Sequence, residues 1–426
     1  MDLKIETGKP DRLGSALFQP LRIGNGKIEL KHRIIHAPLT RNRGTPLCAV
    51  STAENPNRIW IPNDLMVEYY AQRATDGGLI ITEALPTSVE GNAMPGVPGL
   101  FIKEQSEGWK KIVDAVHERG AFIYAQLWHS GRANIPQLTG MPIMAPSSVP
   151  WDDPEGCFIY PPPHSSTPVK LADHRPREMT TADITRTIDD FCRSATMAMN
   201  IGFDGVEVHA GNGYLPEQFL SSNSNIRTDE YGGTPEKRCK FVIELMERLA
   251  KAVGQDNLAI RLTPFGLFNQ ARGEQRLETW GFLCRTLKAR LPQLSYVSFI
   301  EPRFEQDISA QDKARFLGSW GMPNATLSLF RGIWGETPFF SAGGFDDTNC
   351  WDVVESGQYD ALLFGRFFIS NPDLIDKLRC GSPLTPYDRS RFYGPFEDAE
   401  KGYTDYPANA TTRFPFLPAL NIHGKL

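Results

Sequence analysis

Gly205-Val206-Glu207-Val208-His209-Ala210-Gly211-Asn212-Gly213-Tyr214 reads as a buried strand running into a sharp turn. The β-prone residues after Gly205 form the strand, with His209 expected at its last position. Gly211 and Gly213 then let the chain reverse. His209, Asn212 and Tyr214 therefore project from one strand end and its loop. A His and an Asn three residues apart can aim N–H groups at one oxygen and polarise a carbonyl or nitro group. A phenol just beyond can deliver a proton. A packed core His with a turn Asn is the competing explanation, and H-x-x-N alone does not choose between them.

Working outward, similar apolar runs alternate with helical patterns. The strand candidates are 33–38, 79–82, 121–127, 205–209, 258–262, 296–300, 339–342 and 360–364. Between and after them lie helical patterns near 64–75, 104–119, 180–200, 235–253, 279–290, 326–333, 348–355 and 372–378. Thr180-Thr181-Ala182-Asp183 looks like a capping box opening the third of these helices. Eight strand–helix units without a break in composition predict a (β/α)8 TIM barrel. A doubly wound sheet would need a G-x-G-x-x-G turn after the first strand, and none is present. The chain is expected to be a single domain, 1–426. Residues 130–178, rich in Pro and Ser, form an excursion or lid after strand three, and 381–426 form a C-terminal tail.

The 426 residues carry a net charge of −5, with 41% hydrophobic and 22% charged side chains. That composition suits an ordinary soluble protein and disfavours a nucleic-acid or anionic-membrane partner. The seven cysteines, at 48, 157, 192, 239, 284, 350 and 380, show no metal spacing, so no metal site is expected. They read as reduced, mostly buried thiols of an intracellular protein. Met1–Gly14 lacks the apolar core of a leader, and Gly424-Lys425-Leu426 only partly matches a peroxisomal address. A cytoplasmic location is expected.

In a barrel the C-terminal strand ends share one mouth. Their polar residues are Pro38-Leu39-Thr40, Glu83-Ala84, Gln126 with Trp128, Arg261, Gly343-Gly344 and Gly365-Arg366. The Gly pair could be only a tight turn. With Gly365-Arg366 beside it, bare N–H groups and a guanidinium can cradle a phosphate. Arg261 could serve a salt bridge or hold negative charge on a bound ring. Gln126 offers both donor and acceptor to a ring edge. A flat, hydrogen-bonding, phosphorylated cofactor such as FMN fits the set.

With those residues in hand, the chain resembles the old yellow enzyme family of FMN-dependent ene-reductases. The resemblance runs from Leu17-Phe18-Gln19-Pro20-Leu21 to Tyr403-Thr404-Asp405-Tyr406-Pro407. It is carried by APLTRNR at 37–43, EYYAQRA at 68–74, IITEA at 80–84, QLWHSGR at 126–132, GFDGVEVHAGNGYLPEQFL at 202–220, RTDEYGG at 227–233 and FGRFFISNPDL at 364–374. It implies that Thr40 bonds the flavin O4 while the backbone of Pro38, Leu39 and Ala84 lines the ring. It also implies that Gln126 and Arg261 meet the pyrimidine end, Arg261 stabilising the anionic reduced flavin. Gly343, Gly344, Gly365 and Arg366 would hold the phosphate. His209 and Asn212 would bind the substrate oxygen, Tyr214 would protonate the α-carbon, and Trp128 and Tyr393 would shape the pocket. Thr40, where one branch has Cys, points to the yeast- and plant-like branch, and Tyr214 favours a reductase over relatives with Phe.

The activity so implied is ping-pong reduction of an α,β-unsaturated carbonyl or nitro compound with NADPH as hydride donor, in a role such as secondary metabolism. Three rivals stand beside it: a redox-neutral flavin isomerase of a bulky natural product, a flavin-free barrel enzyme acting on a phosphorylated metabolite, and, weakest because it would leave the donor set unused, a non-enzymatic binding protein. The second would need a Schiff-base Lys or a carboxylate base at a strand end. Glu83, the nearest carboxylate, reads as structural.

Overall fold

The computed structural model describes residues 12, 14–304, 309–322 and 324–408. Residues 1–11 and 13 of the stretch read for a leader, and 409–426 of the C-terminal tail with the 424–426 address, lie outside the described residues.

Eight parallel strands close into a barrel: β1 (Ile34–His36), β2 (Leu79–Pro86), β3 (Phe122–Trp128), β4 (Gly205–Ala210), β5 (Leu258–Leu262), β6 (Tyr296–Ile300), β7 (Phe339–Ala342) and β8 (Ala361–Phe364). Each pairs with its sequence neighbours, and β8 closes on β1. This closure excludes the open doubly wound sheet. The main helices following the strands are α1 (Asp64–Arg73), α2 (Lys103–His117), α3 (Thr181–Asn200), α4 (Lys240–Val253), α5 (Arg276–Arg290), α6 (Ser328–Trp334), α7 (Cys350–Glu355) and α8 (Leu374–Cys380). Thr180 and Asp183 form the reciprocal cap that the sequence implied at the start of α3.

Strand side chains alternate between two cores. Ile35, Leu79, Ile81, Tyr124, Ala259, Tyr296, Phe340, Ala361 and Leu363 fill the barrel, together with Ile23, Ile28 and Leu30 of a hairpin. That hairpin bonds the residues preceding β2 and β6 (Lys31 N–H to Gly77 O, Gly24 N–H to Ser295 O), so it plugs the N-terminal end. Ile34, Ile80, Leu362 and Phe364 point outward into the core shared with the helices. With one end plugged, ligand chemistry is left to the other.

Several expectations need correction. His209 is the penultimate residue of β4, with Ala210 last. The helical pattern at 235–253 divides at Cys239 into Pro235–Arg238 and α4. The segment after β6 contains an unpredicted helix, Ala310–Ser319. Of the seven free thiols, only Cys239, Cys284 and Cys350 are buried, so "mostly buried" does not hold. Cys48, Cys157 and Cys380 are exposed, and Cys192 on α3 is half-buried at the edge of the main core.

The excursion at 130–178 is packed rather than open. Met144–Ala145 pairs in parallel with Arg177–Glu178 at its base. Ile135, Leu138, Tyr160 and Leu171 form a small core, with Met94, Trp151, Phe158 and Val169 packed against it. At the C-terminal side, buried Arg41 donates to Phe392 O at 3.0 Å and Gly402 O at 2.7 Å, and Arg43 donates to Ala399 O at 3.0 Å. These bonds satisfy carbonyls of an irregular segment and strap it across the barrel, bringing Tyr393 to the mouth. Among the described residues no helix is long and apolar enough to cross a membrane.

Candidate active site

A cavity of about 790 Å³ opens at the C-terminal ends of the strands. It is lined by Pro38, Leu39 and Thr40 after β1, Ala84 of β2, Gln126 and Trp128 of β3, His209 of β4, and Asn212 and Tyr214 beyond it. Arg261, Gly343, Gly344, Gly365, Arg366 and Tyr393 complete the wall. The structure thus brings all fifteen side chains or glycines singled out from the sequence to one surface.

Strand register explains the grouping. His209 lies level with Arg261, and Glu207 with Gln126. The β2–β3 register shifts between Ile81 and Ala84, and the Thr82 hydroxyl accepts the Gln126 N–H at 3.0 Å there. This irregularity puts Ala84 on the cavity and leaves Glu83 buried beside Tyr70, whose hydroxyl accepts the Glu83 N–H at 3.0 Å. Burial pushes the Glu83 carboxyl up to about 7. Glu83 does not line the cavity, which removes the carboxylate base that a flavin-free barrel reading would have used.

At the barrel centre the Gln126 Nε2 donates to Glu207 Oε1 at 2.7 Å, which leaves its carbonyl oxygen and its second amide proton to offer. Burial pushes the Glu207 carboxyl upward, opposed by the Arg261 charge. Burial pulls the Arg261 guanidinium down, and its Nη1 has no hydrogen-bond partner in the protein. An unpartnered buried guanidinium nitrogen is costly, and an anionic ring edge would satisfy it.

Burial also drives His209 down to about 3, with Arg261 adding to the effect. The imidazole is therefore neutral at ordinary pH and offers one N–H as donor. Its ring meets Tyr214 edge-on at 5.3 Å, and Tyr214 meets Trp128 edge-on at 5.1 Å. Tyr214 caps the short helix Leu215–Leu220, which begins with Pro216 in its first turn. Its phenol is thus held by ring packing and by the helix start behind it.

Across the cavity, Gly344 has φ +72, and a Cβ there would stand 2.8 Å from Arg366 Nη2. A Cβ on Gly343 would stand 2.9 Å from the Glu301 Cβ. Gly365 caps the helical turn Arg366–Ser370. The Arg366 guanidinium donates to the Tyr387 hydroxyl at 3.0 Å and lies over the rings of Phe304 and Tyr387. Bare backbone and a held cation suit a phosphate group.

Sequence reasoning missed several lining residues. Thr263 directly follows β5, and a stricter look past each strand end would have found it. Trp151, Phe158 and Tyr160 of the excursion, and Phe304, Phe345 and Phe392, also line the cavity. No local pattern marks them.

Residues 16–385 match the NADH:flavin oxidoreductase / NADH oxidase family. The chain belongs to that family. It is an FMN-type flavoprotein oxidoreductase, as the resemblance implied. It is similar to flavin oxidoreductase hxnT of Emericella nidulans, with 42% identity over 403 residues, 92% of this chain and 97% of that protein. It is also similar to 12-oxophytodienoate reductase 1 of Oryza sativa subsp. japonica, 36% identical over 92% of each chain. Among solved structures, morphinone reductase superposes with a TM-score of 0.78 at 33% identity, covering 94% of this chain and 98% of that one. An old yellow enzyme homologue from Zymomonas mobilis gives 0.76 at 31% identity, covering 92% and 99%. One of the morphinone reductase structures is a complex with tetrahydroNAD.

Proposed function

We propose that the protein is an ene-reductase that uses NADPH to reduce the activated C=C bond of an α,β-unsaturated carbonyl or nitro compound. The observation that carries this reading is the opposition, across one cavity, of an anion cradle and a donor set. Gly343, Gly344, Gly365 and Arg366 lie on one side, and His209, Asn212 and Tyr214 on the other.

The residues fit FMN. The unpartnered Nη1 of Arg261, the free carbonyl of Gln126 and the glycines that leave no room for a Cβ are the groups such a cofactor would need. Pro38, Leu39, Thr40 and Ala84 would border its ring, Gln126 and Arg261 its polar edge, and the cradle its phosphate. When bound, FMN would supply the hydride chemistry that links the nicotinamide donor to the β-carbon of the alkene. The family's NADH:flavin oxidoreductase description and the tetrahydroNAD complex of a neighbour support a nicotinamide donor.

The protein's own part is placement and charge. Neutral His209 and the Asn212 amide hold the acceptor oxygen and draw electron density from the β-carbon. Tyr214 delivers a proton to the α-carbon. Trp128 and Tyr393, with the aromatic wall of the excursion, cover the acceptor and exclude water. We further read the chain as a single domain and its location as cytoplasmic.

An anaerobic visible spectrum tests the proposal as NADPH and then cyclohexenone are added. The flavin band should bleach with NADPH and return with the enone. A bleached band that never returns would exclude enone reduction. Absence of the band after reconstitution with FMN would exclude the assigned cofactor.

A further inference from the structure

Behind Asn212 lies a buried polar chain that has no part in the donor set described above. Asn212 and Gly213 both take left-handed backbone, with φ +55 and +68. The turn is gripped from two sides. The Asn212 N–H donates to Thr263 Oγ1 at 2.8 Å, and the Thr263 hydroxyl donates to Glu217 Oε2 at 2.8 Å. The same carboxylate oxygen accepts the Gly213 N–H at 2.6 Å. On the opposite side the Asn269 amide donates to Asn212 O at 2.9 Å.

The direction of these bonds is determined by chemistry. A threonine hydroxyl has one proton, and this one is committed to Glu217, so its lone pairs face the Asn212 N–H. Glu217 is fully buried, with Arg276 Nη1 at 4.0 Å from its other oxygen. Arg276 also donates to Pro264 O at 2.8 Å and Gly273 O at 3.1 Å. One ion pair therefore joins the short helix after β4 to the start of α5. Contact is also tight in the apolar sense: a Cβ on Gly211 would stand 2.8 Å from both Thr263 Oγ1 and Cγ2. All of this order is spent on the backbone at Asn212, while the Asn212 side chain is left on the cavity.

We propose that Thr263 and Glu217 are positioning residues for the site that holds the acceptor oxygen. They fix the left-handed turn at Asn212–Gly213, and so aim the Asn212 amide, while binding no acceptor atom themselves. The inference rests on the reading of His209 and Asn212 as the oxygen's ligands.

The test uses the FMN-loaded protein and Thr263→Val, which keeps the side-chain shape and removes the hydroxyl. The probe is cyclohexanone, a ketone without a reducible C=C bond, whose dissociation constant is read from its perturbation of the flavin absorption band. Loss of aim at one of two donors should weaken the ketone about tenfold. KM for cyclohexenone should rise similarly, kcat should change much less, and Thr263→Ser should restore both constants. A wild-type ketone affinity in Thr263→Val, or a loss that Thr263→Ser does not repair, overturns the proposal. A merely structural role would lower the melting temperature and FMN affinity without moving the ketone constant of the loaded protein. If Thr263→Val does not take up FMN, Asn269→Gly removes the opposite grip at a left-handed position that glycine tolerates, and should weaken the ketone about threefold; an unchanged constant there counts against the proposal. If the wild-type protein itself binds no ketone, the reading of His209 and Asn212 fails first and this inference falls with it.

Discussion

Gly344→Ala probes the anion cradle most directly, because the structure separates its two costs. The first is backbone strain. At φ +72 a side chain meets the left-handed penalty of about 1–2 kcal/mol. Gly357 isolates that cost, since it has φ +69 and nothing within 4 Å of an added Cβ. The second cost is local to the cavity. At 344 the new Cβ stands 2.8 Å from Arg366 Nη2 and 3.3 Å from a Phe304 ring carbon. The guanidinium is the flexible partner and must move, giving up its 3.0 Å bond to the Tyr387 hydroxyl and its place over two rings. A charged hydrogen bond to an anion is worth about 1.5–3 kcal/mol, which corresponds to roughly 10- to 100-fold in affinity. Titration of apoprotein by quenching of flavin fluorescence should therefore show FMN binding weakened by that factor in Gly344→Ala and nearly unchanged in Gly357→Ala. Riboflavin, which lacks the phosphate, should bind both variants and the wild type alike. Equal loss of riboflavin and FMN in Gly344→Ala, or wild-type FMN affinity, would refute the assignment of the phosphate to this cradle.

Three other outcomes follow from the same geometry. Tyr214→Phe keeps the edge-on ring contacts with His209 and Trp128 and removes only the phenol; stopped-flow should show enone-driven return of the flavin band slowed by about 10²-fold or more and NADPH-driven bleaching nearly intact, and equal slowing of both would rule out the proton-donor role. Glu207→Ala removes the partner that orients the Gln126 amide and leaves Arg261 without a nearby counter-charge; the FMN dissociation constant should rise about tenfold for one misplaced hydrogen bond, and an unchanged constant would show that Gln126 needs no such partner. Stability should fall with acid. Burial holds His36, His129 and His209 at about 3 and His32 at about 4, so unfolded chains take up protons below about pH 6.5 that the folded protein refuses. Buried Glu83 and Glu207, both raised, act in the opposite sense, losing stability as pH rises through their range. Four imidazoles outweigh two carboxyls at pH 5 by about two to three protons, or roughly 3 kcal/mol per pH unit; a melting temperature that stays level or rises from pH 6.5 to pH 5 would contradict this balance.

Much of the architecture is legible because it is local. The apolar runs at 258–262, 296–300 and 339–342 match β5, β6 and β7 residue for residue. Such runs leave few other ways to bury their side chains, and eight of them alternating with amphipathic helices leave few folds besides the barrel. Strand ends then nominate site residues, since the closed sheet sends them all to one mouth. Where local pattern was weak, the reading faltered. Ala310–Ser319 buries only Lys313 and Leu317, too little apolar periodicity to betray a helix. The irregularity at Thr82–Glu83 cannot be seen in IITEA, because it is a mismatch with a different strand.

What the amino-acid sequence determined by itself was the order of strands and helices, the mouth at which the chemistry sits, and the residue types gathered there. Only the tertiary structure decided how those residues are held and charged. The partnership of Asn212 with Thr263 spans 51 residues, that of Gln126 with Glu207 spans 81, and the grip of Arg41 on Phe392 spans 351. Burial that turns His209 into a neutral donor, and raises Glu83 and Glu207, likewise arises from many chain segments at once. Periodicity is a property of neighbours along the chain, whereas hydrogen-bond partners and desolvation are properties of neighbours in space, which exist only once the barrel has closed.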